Sequence, residues 1–223
     1  MPKVIVALHG HDLRERLFAS SLRSALADAG ATAVQVNLDD DDVAPAMRFG
    51  PGERITALVS VWTDGAPSAV VDVVADAAGE QPHAYLVSER VRLDPAPVPD
   101  GVRSDVMAQM ALLRWSPSMT HEEYLAYWML EHTPIAIRTQ ATTAYIQNVV
   151  DEALTPSSPE LSAIVEEHFP MAGMTDPHAY YGSRGDDAEL RRRSAELMES
   201  VARFGADQNL DLVPTSRYLW RLP

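Results

Sequence analysis

Glu166 and His168 stand two residues apart in the apolar run Leu161–Phe169, which reads as a β-strand. Alternate residues of a strand share a face, so these two side chains start about 6.5 Å apart. A carboxylate at that separation raises the pKa of an imidazole or orients it as a base, which suits removal of a proton beside a carbonyl; a buried ion pair that only satisfies itself is the plainer reading. His132 is the third candidate, because imidazole transfers protons near neutral pH and Pro134 lies two residues on. The proline removes an amide donor and disfavours helical geometry at Thr133, so a break or kink is expected beside His132, whose ring could bond a carbonyl freed there. His132, Glu166 and His168 are the candidate catalytic residues. Tyr127, Trp128 and Tyr145, with Trp115 and Asn148, are the candidate substrate contacts, although aromatic residues at helical spacing are more often plain core.

No other chemistry competes strongly. The chain has no Cys, which excludes thiolate metal sites, disulfides and cysteine nucleophiles. His9-Gly10-His11 lacks further ligands at a metal-binding spacing, and Asp39–Asp42 lacks the alternating ligands and glycine of a calcium loop. There is no phosphate-cradling glycine loop, dinucleotide fingerprint or nucleophile elbow, so no metal and no cofactor is expected. A net charge of −14 works against binding nucleic acid or an anionic membrane surface. Val4–Leu8 is too short for a secretion signal and no apolar run is long enough to span a bilayer, so a cytoplasmic protein is expected.

The elements that must position these residues come in two matching sets. In the first, Lys3–Leu8 reads as a strand, Leu13–Ala29 as a helix stopped by Gly30, and Ala33–Leu38 and Ile55–Trp62 as strands; a helix at 68–78 and a strand at 83–93 follow. That order, β-α-β-β-α-β, is the ferredoxin-like unit. Three prolines within Asp94–Gly101 suit only a linker. The same order then returns, with strands at 104–115, 142–150, 161–169 and 211–222 and helices at 120–138 and 188–204. The expected organisation is a ferredoxin-like domain at 1–93, a linker at 94–103 and a second such domain at 104–223.

Strand 104–115 carries apolar residues on both faces, so a second sheet should cover it. The fold class expected is α+β, two ferredoxin-like units packed sheet to sheet as a barrel within one chain. Gln35, Asn37, Ser60, Asn148, Glu166 and His168 are scattered polar groups on otherwise apolar faces, which suggests a small-molecule cavity there. Met171–Asp187, glycine-rich and aromatic, has no counterpart in the first half and is expected to be a lid.

Residues 111–150 carry a more specific signal. A strand ending Leu112-Leu113-Arg114 is followed by Met119-Thr120, Glu122-Glu123-Tyr124, Tyr127-Trp128, Glu131-His132-Thr133-Pro134 and Tyr145-Ile146-Gln147-Asn148. As an ordered set these residues resemble the EthD family, and the likeness continues weakly at Ala163–Glu166, where His168 departs from the family's aromatic. The first half resembles it only in layout. The resemblance implies a dimeric α+β barrel, a role in the bacterial degradation of ether compounds alongside an oxidative system, and, from fungal relatives, dehydration of polyketide intermediates. A protein that binds a small apolar or aromatic molecule is therefore expected. It would act by acid-base chemistry of the dehydration or isomerisation type, or serve as a non-catalytic carrier or stress-associated assembly protein; a homodimer of the two-repeat chain is a further expectation.

Overall fold

The computed structural model describes residues 2–223. The first half contains β1 (Lys3–Leu8), α1 (Leu13–Phe18), α2 (Ser20–Asp28), β2 (Ala31–Leu38), β3 (Ala57–Thr63), α3 (Pro67–Ala78) and β4 (His83–Leu93). The second contains β5 (Met107–Leu113), α4 (His121–Ala126), a π-helical turn (Tyr127–His132), α5 (Thr133–Thr139), β6 (Ala144–Ala153), β7 (Ala163–Phe169), α6 (Pro177–Tyr181), α7 (Asp187–Arg203) and β8 (Leu210–Arg221). No helix among the described residues is long and apolar enough to cross a membrane.

The eight strands close into one antiparallel barrel in the order β1-β3-β2-β8-β5-β7-β6-β4. Each half supplies four neighbouring strands, and the β2–β8 and β4–β6 ladders join them. The expected α+β barrel of two ferredoxin-like units is thus closed within a single chain. Closure explains why β1, β5 and β7 are buried along their whole length: helices cover one face and the opposite wall covers the other. On β1, Val4, Val6 and Leu8 meet the helices of the first half, whereas Ile5 and Ala7 point into the barrel beside Leu58, Met110, Leu112 and Ile164.

Two local readings need revision. The helix expected over 13–29 is split at Ala19, whose extended backbone (ψ 137°) separates α1 from α2. The break or kink expected beside His132 takes the form of an expansion, not a break: the helix opened by the Thr120–Glu123 capping box runs on through a π-turn into α5. Pro134 cannot donate to the carbonyl four residues back, and its ring crowds that carbonyl; widening the turn relieves both.

The proline-rich segment 94–99 has no regular structure and leads into a turn at Gly101, whose φ of +73° favours glycine. A Cβ there would meet Trp220 Nε1 at 2.6 Å. We offer 1–93, 94–103 and 104–223 as the folding division, with a direct test. Cleavage at a protease site introduced across Ala96–Val98 should leave the halves associated through the two joining ladders, with unchanged elution volume in gel filtration. Separation of the fragments would show that the ladders do not hold the barrel.

Candidate functional site

Leu113, Ala111, Gln109, Val165 and Glu167 present their side chains on the outer face of the second half's sheet, beneath the helical layer. Between that sheet and Trp128, His132, Leu197 and Phe204 of the helices lies a mainly apolar cavity of about 400 Å³. Two excursions complete its wall. Residues 171–181, within the insertion expected to be a lid, contribute Met174, Pro177 and Tyr180, and the first half contributes Ala46, Met47 and Phe49. Phe49 is pinned to β8 by reciprocal backbone bonds with Leu212 of 3.2 and 2.8 Å.

The π-turn ends on His132, which is buried against Phe204 at a ring separation of 4.8 Å. Its Nδ1 lies 3.0 Å from Ser200 Oγ, which is 3.1 Å from the Tyr127 hydroxyl. Nε2 has no protein partner among the described residues. Burial lowers the pKa of His132 to about 4, so the imidazole is neutral at physiological pH.

Glu167 is on the cavity side of β7, opposite Gln109 on β5 and Tyr145 on β6. Burial raises its pKa to about 7, against the opposing effect of a 3.3 Å hydrogen bond from Thr142 Oγ1. Its neighbour Glu166 faces into the barrel and behaves oppositely. Desolvation would raise that pKa as well, but the His168 hydrogen bond and the charges of His168, Arg217 and Lys3 outweigh it and hold the group near 2. Two adjacent carboxyl groups on one strand are therefore driven apart by the surroundings on the two faces of the sheet.

Of the sequence candidates, the structure brings His132, Trp128 and Tyr145 to this cavity. Glu166 and His168 do share a face, as expected, and their side chains meet at 2.7 Å. That face is inside the barrel, where Gln35 donates to Glu166 at 2.8 Å and Arg217 lies 3.3 Å from it; neither residue lines the cavity. Asn148 is also in the barrel, accepting from Lys3 Nζ at 2.9 Å and donating to the Ile164 carbonyl. The polar groups expected to line a cavity in the barrel thus include several that satisfy one another. Tyr127 stands behind His132 through Ser200, and Trp115 is partly exposed, its indole donating to the Met119 carbonyl at 2.6 Å.

Glu167, Ser200 and Tyr180 are site residues that the sequence reading missed. For Glu167 a signal existed: Ala163, Val165, Glu167 and Phe169 alternate on one strand face, and a lone carboxylate among apolar neighbours is costly unless used. Ser200 on a long amphipathic helix and Tyr180 in an irregular insertion carry no comparable signal.

Fold and cavity together define a class: a single-chain antiparallel α+β barrel with an apolar cavity between one sheet and its helices. The chain is similar in structure to an anthrone oxidase-like protein, with a TM-score of 0.56 and 10% identity over 99% of this chain and 92% of that one. A protein from Lactobacillus acidophilus with a provisional monooxygenase assignment aligns with a TM-score of 0.49 and 10% identity, over 99% and 96% of the two chains. At such identity the first likeness shows a shared fold. No protein-family model matches the sequence, and no curated protein matches it significantly.

Proposed function

We propose that the chain binds a planar, apolar aromatic ketone in the cavity of the second half and moves a proton at a carbon acidified by the carbonyl. The observation that carries this reading is the convergence on one mainly apolar cavity of the buried Glu167 carboxyl, which burial pushes up to about 7, and the buried His132 ring, bonded through Nδ1 to Ser200. Glu167 is the base. A carboxylate with a pKa near 7 is a stronger base than an ordinary one and is still ionised to a useful extent at neutral pH. His132 polarises the carbonyl: with Tyr127 donating to Ser200 and Ser200 donating to Nδ1, the ring hydrogen sits on the unpartnered Nε2, ready to bond the oxygen as charge develops there. The C–H electron pair becomes the enolate, the proton goes to Glu167, and its return to oxygen or carbon completes an isomerisation. Enolates are also the readily oxidised form of such ketones, which agrees with the oxidative setting implied by the resemblance to EthD.

Anthrone is a suitable probe, since its methylene hydrogens are acidified by the carbonyl across the ring. Incubated in D₂O under argon, it should gain deuterium faster with the protein than in buffer, read by mass spectrometry. Replacing His132 by Phe, which has no donor, should slow exchange about 10²- to 10³-fold, the usual cost of losing one oxyanion donor, while far-UV circular dichroism stays unchanged. Exchange no faster than in buffer would overturn the reading.

A further inference from the structure

Tyr180 sits where three elements meet the cavity wall. Its hydroxyl oxygen accepts from Gln109 Nε2 at 3.1 Å and from Gln140 Nε2 at 3.0 Å. A phenolic oxygen has two lone pairs and one hydrogen, so both lone pairs are occupied and the hydrogen remains to be donated. No protein acceptor takes it among the described residues. Gln140 is 7% exposed, and its Oε1 is buried with no partner. Such an orphan is uncommon in a folded protein and calls for an explanation.

The arrangement is rigid. The Tyr180 ring stacks on Phe169 at 4.4 Å with 16° between the planes, and its carbonyl accepts from Ala141 N at 2.8 Å. Gly173 packs against its backbone so closely that a Cβ would lie 3.3 Å from Tyr180 Cα. Gln109 and Gln140 are both buried, and Glu167 stands opposite Gln109 across the β5–β7 ladder. One free donor and one free acceptor are thus held close together in a mainly apolar wall, because the unpaired oxygen and the bonded nitrogen of Gln140 share one carbon. A hydroxyl group satisfies both with a single oxygen, accepting from Tyr180 and donating to Gln140 Oε1.

We propose that Tyr180, Gln109 and Gln140 form a subsite for a hydroxyl group borne on an aromatic ring, which makes the substrate class a hydroxylated arene. The inference rests on the reading of the cavity as a site for an aromatic ketone and deepens it: the hydroxyl fixes the ring so that its reactive carbon is held against Glu167. Ethers and unsubstituted rings satisfy at most one of the two groups.

Three probes of nearly equal size separate the terms: 2-naphthol, 2-methoxynaphthalene, which accepts but cannot donate, and naphthalene. Titrated against the intact protein by calorimetry at pH 7, 2-naphthol should bind about tenfold more tightly than the other two, as expected for hydrogen bonds made in a dry site. Tyr180→Phe and Gln140→Met should each abolish the preference, so that within each variant 2-naphthol and naphthalene bind with equal affinity. Equal affinities for the three probes in the wild-type protein, or a preference for 2-naphthol that survives both substitutions, would overturn the subsite while leaving the cavity reading intact. Failure of all three to bind would overturn the cavity reading itself and the subsite with it.

Discussion

Glu167→Gln is expected to lower proton exchange on the ketone probe about 10²- to 10⁴-fold and at the same time to make the protein more stable at pH 8. The first effect follows from removing the base, the second from removing a buried charge. The folded state raises this carboxyl to about 7, above its value in the unfolded chain. The associated stability is therefore complete below the usual carboxylate pKa and is lost as the pH rises to about 7. By linkage the wild-type protein gives up about 3 kcal/mol over that interval, and the variant gives up none of it. Urea midpoints measured at pH 4 and pH 8 should show a gap between the two proteins only at pH 8. In the wild type, exchange should also rise with pH through an inflection near 7 that the variant lacks. A variant no more stable at pH 8, or one that keeps the inflection, would remove Glu167 from the proposed role.

Arg217→Met should destabilise the barrel by about 3–5 kcal/mol, the usual consequence of taking one partner from a buried charge pair. Arg217 is buried, donates to Gln35 Oε1 at 2.7 Å and to Ser104 Oγ at 3.2 Å, and lies 3.3 Å from Glu166. The substitution leaves those acceptors unpaired and strips Glu166 of one of the charges that hold its pKa near 2. A depressed carboxyl contributes stability that is present above its unfolded pKa and lost as the pH falls towards 2. The variant should therefore unfold at a higher pH on acid titration than the wild type, as well as at lower urea. Its affinity for arenes, measured per folded molecule, should be unchanged, because the network lies on the other side of the sheet from the cavity. A loss below 1 kcal/mol would show that the network is not holding the barrel together.

How far the sequence reveals this molecule depends on which property is asked of it. Element order is legible because periodicity is local: Val34, Val36 and Leu38 alternate, Gly30 ends a helical pattern, and Thr120 with Glu123 marks a helix start. Closure of the barrel is legible for a different reason, since apolar residues on both faces of strand 104–115 require two coverings. The same fact hides the site. Once both faces of a strand are buried, alternation tells which side chains share a face but not whether that face looks inward or towards the helices. Glu166 and His168 are therefore legible as a pair, whereas the direction in which they point is not, and Glu167 between them is hidden by the same ambiguity. His132 stands out by residue type, and Pro134 marks a disturbance beside it, yet that proline alone does not say whether the helix breaks, kinks or widens, and the ring's orientation follows from the widening. Tyr180 reaches the wall through contacts made by the fold as a whole.

The loop that carries Phe49 from the first half to β8 has a consequence for symmetry. A barrel assembled from two identical subunits is obliged to build every cavity twice, and a substitution that shapes one site alters its twin as well. Here each wall is encoded separately. The first half can fill its own sheet-helix interface with Val34, Val61, Val70 and Val74 while lending a loop to the other half's cavity. Under the proposed function one ligand binds per chain, and the residues lining the cavity can change without disturbing the half that serves as its frame.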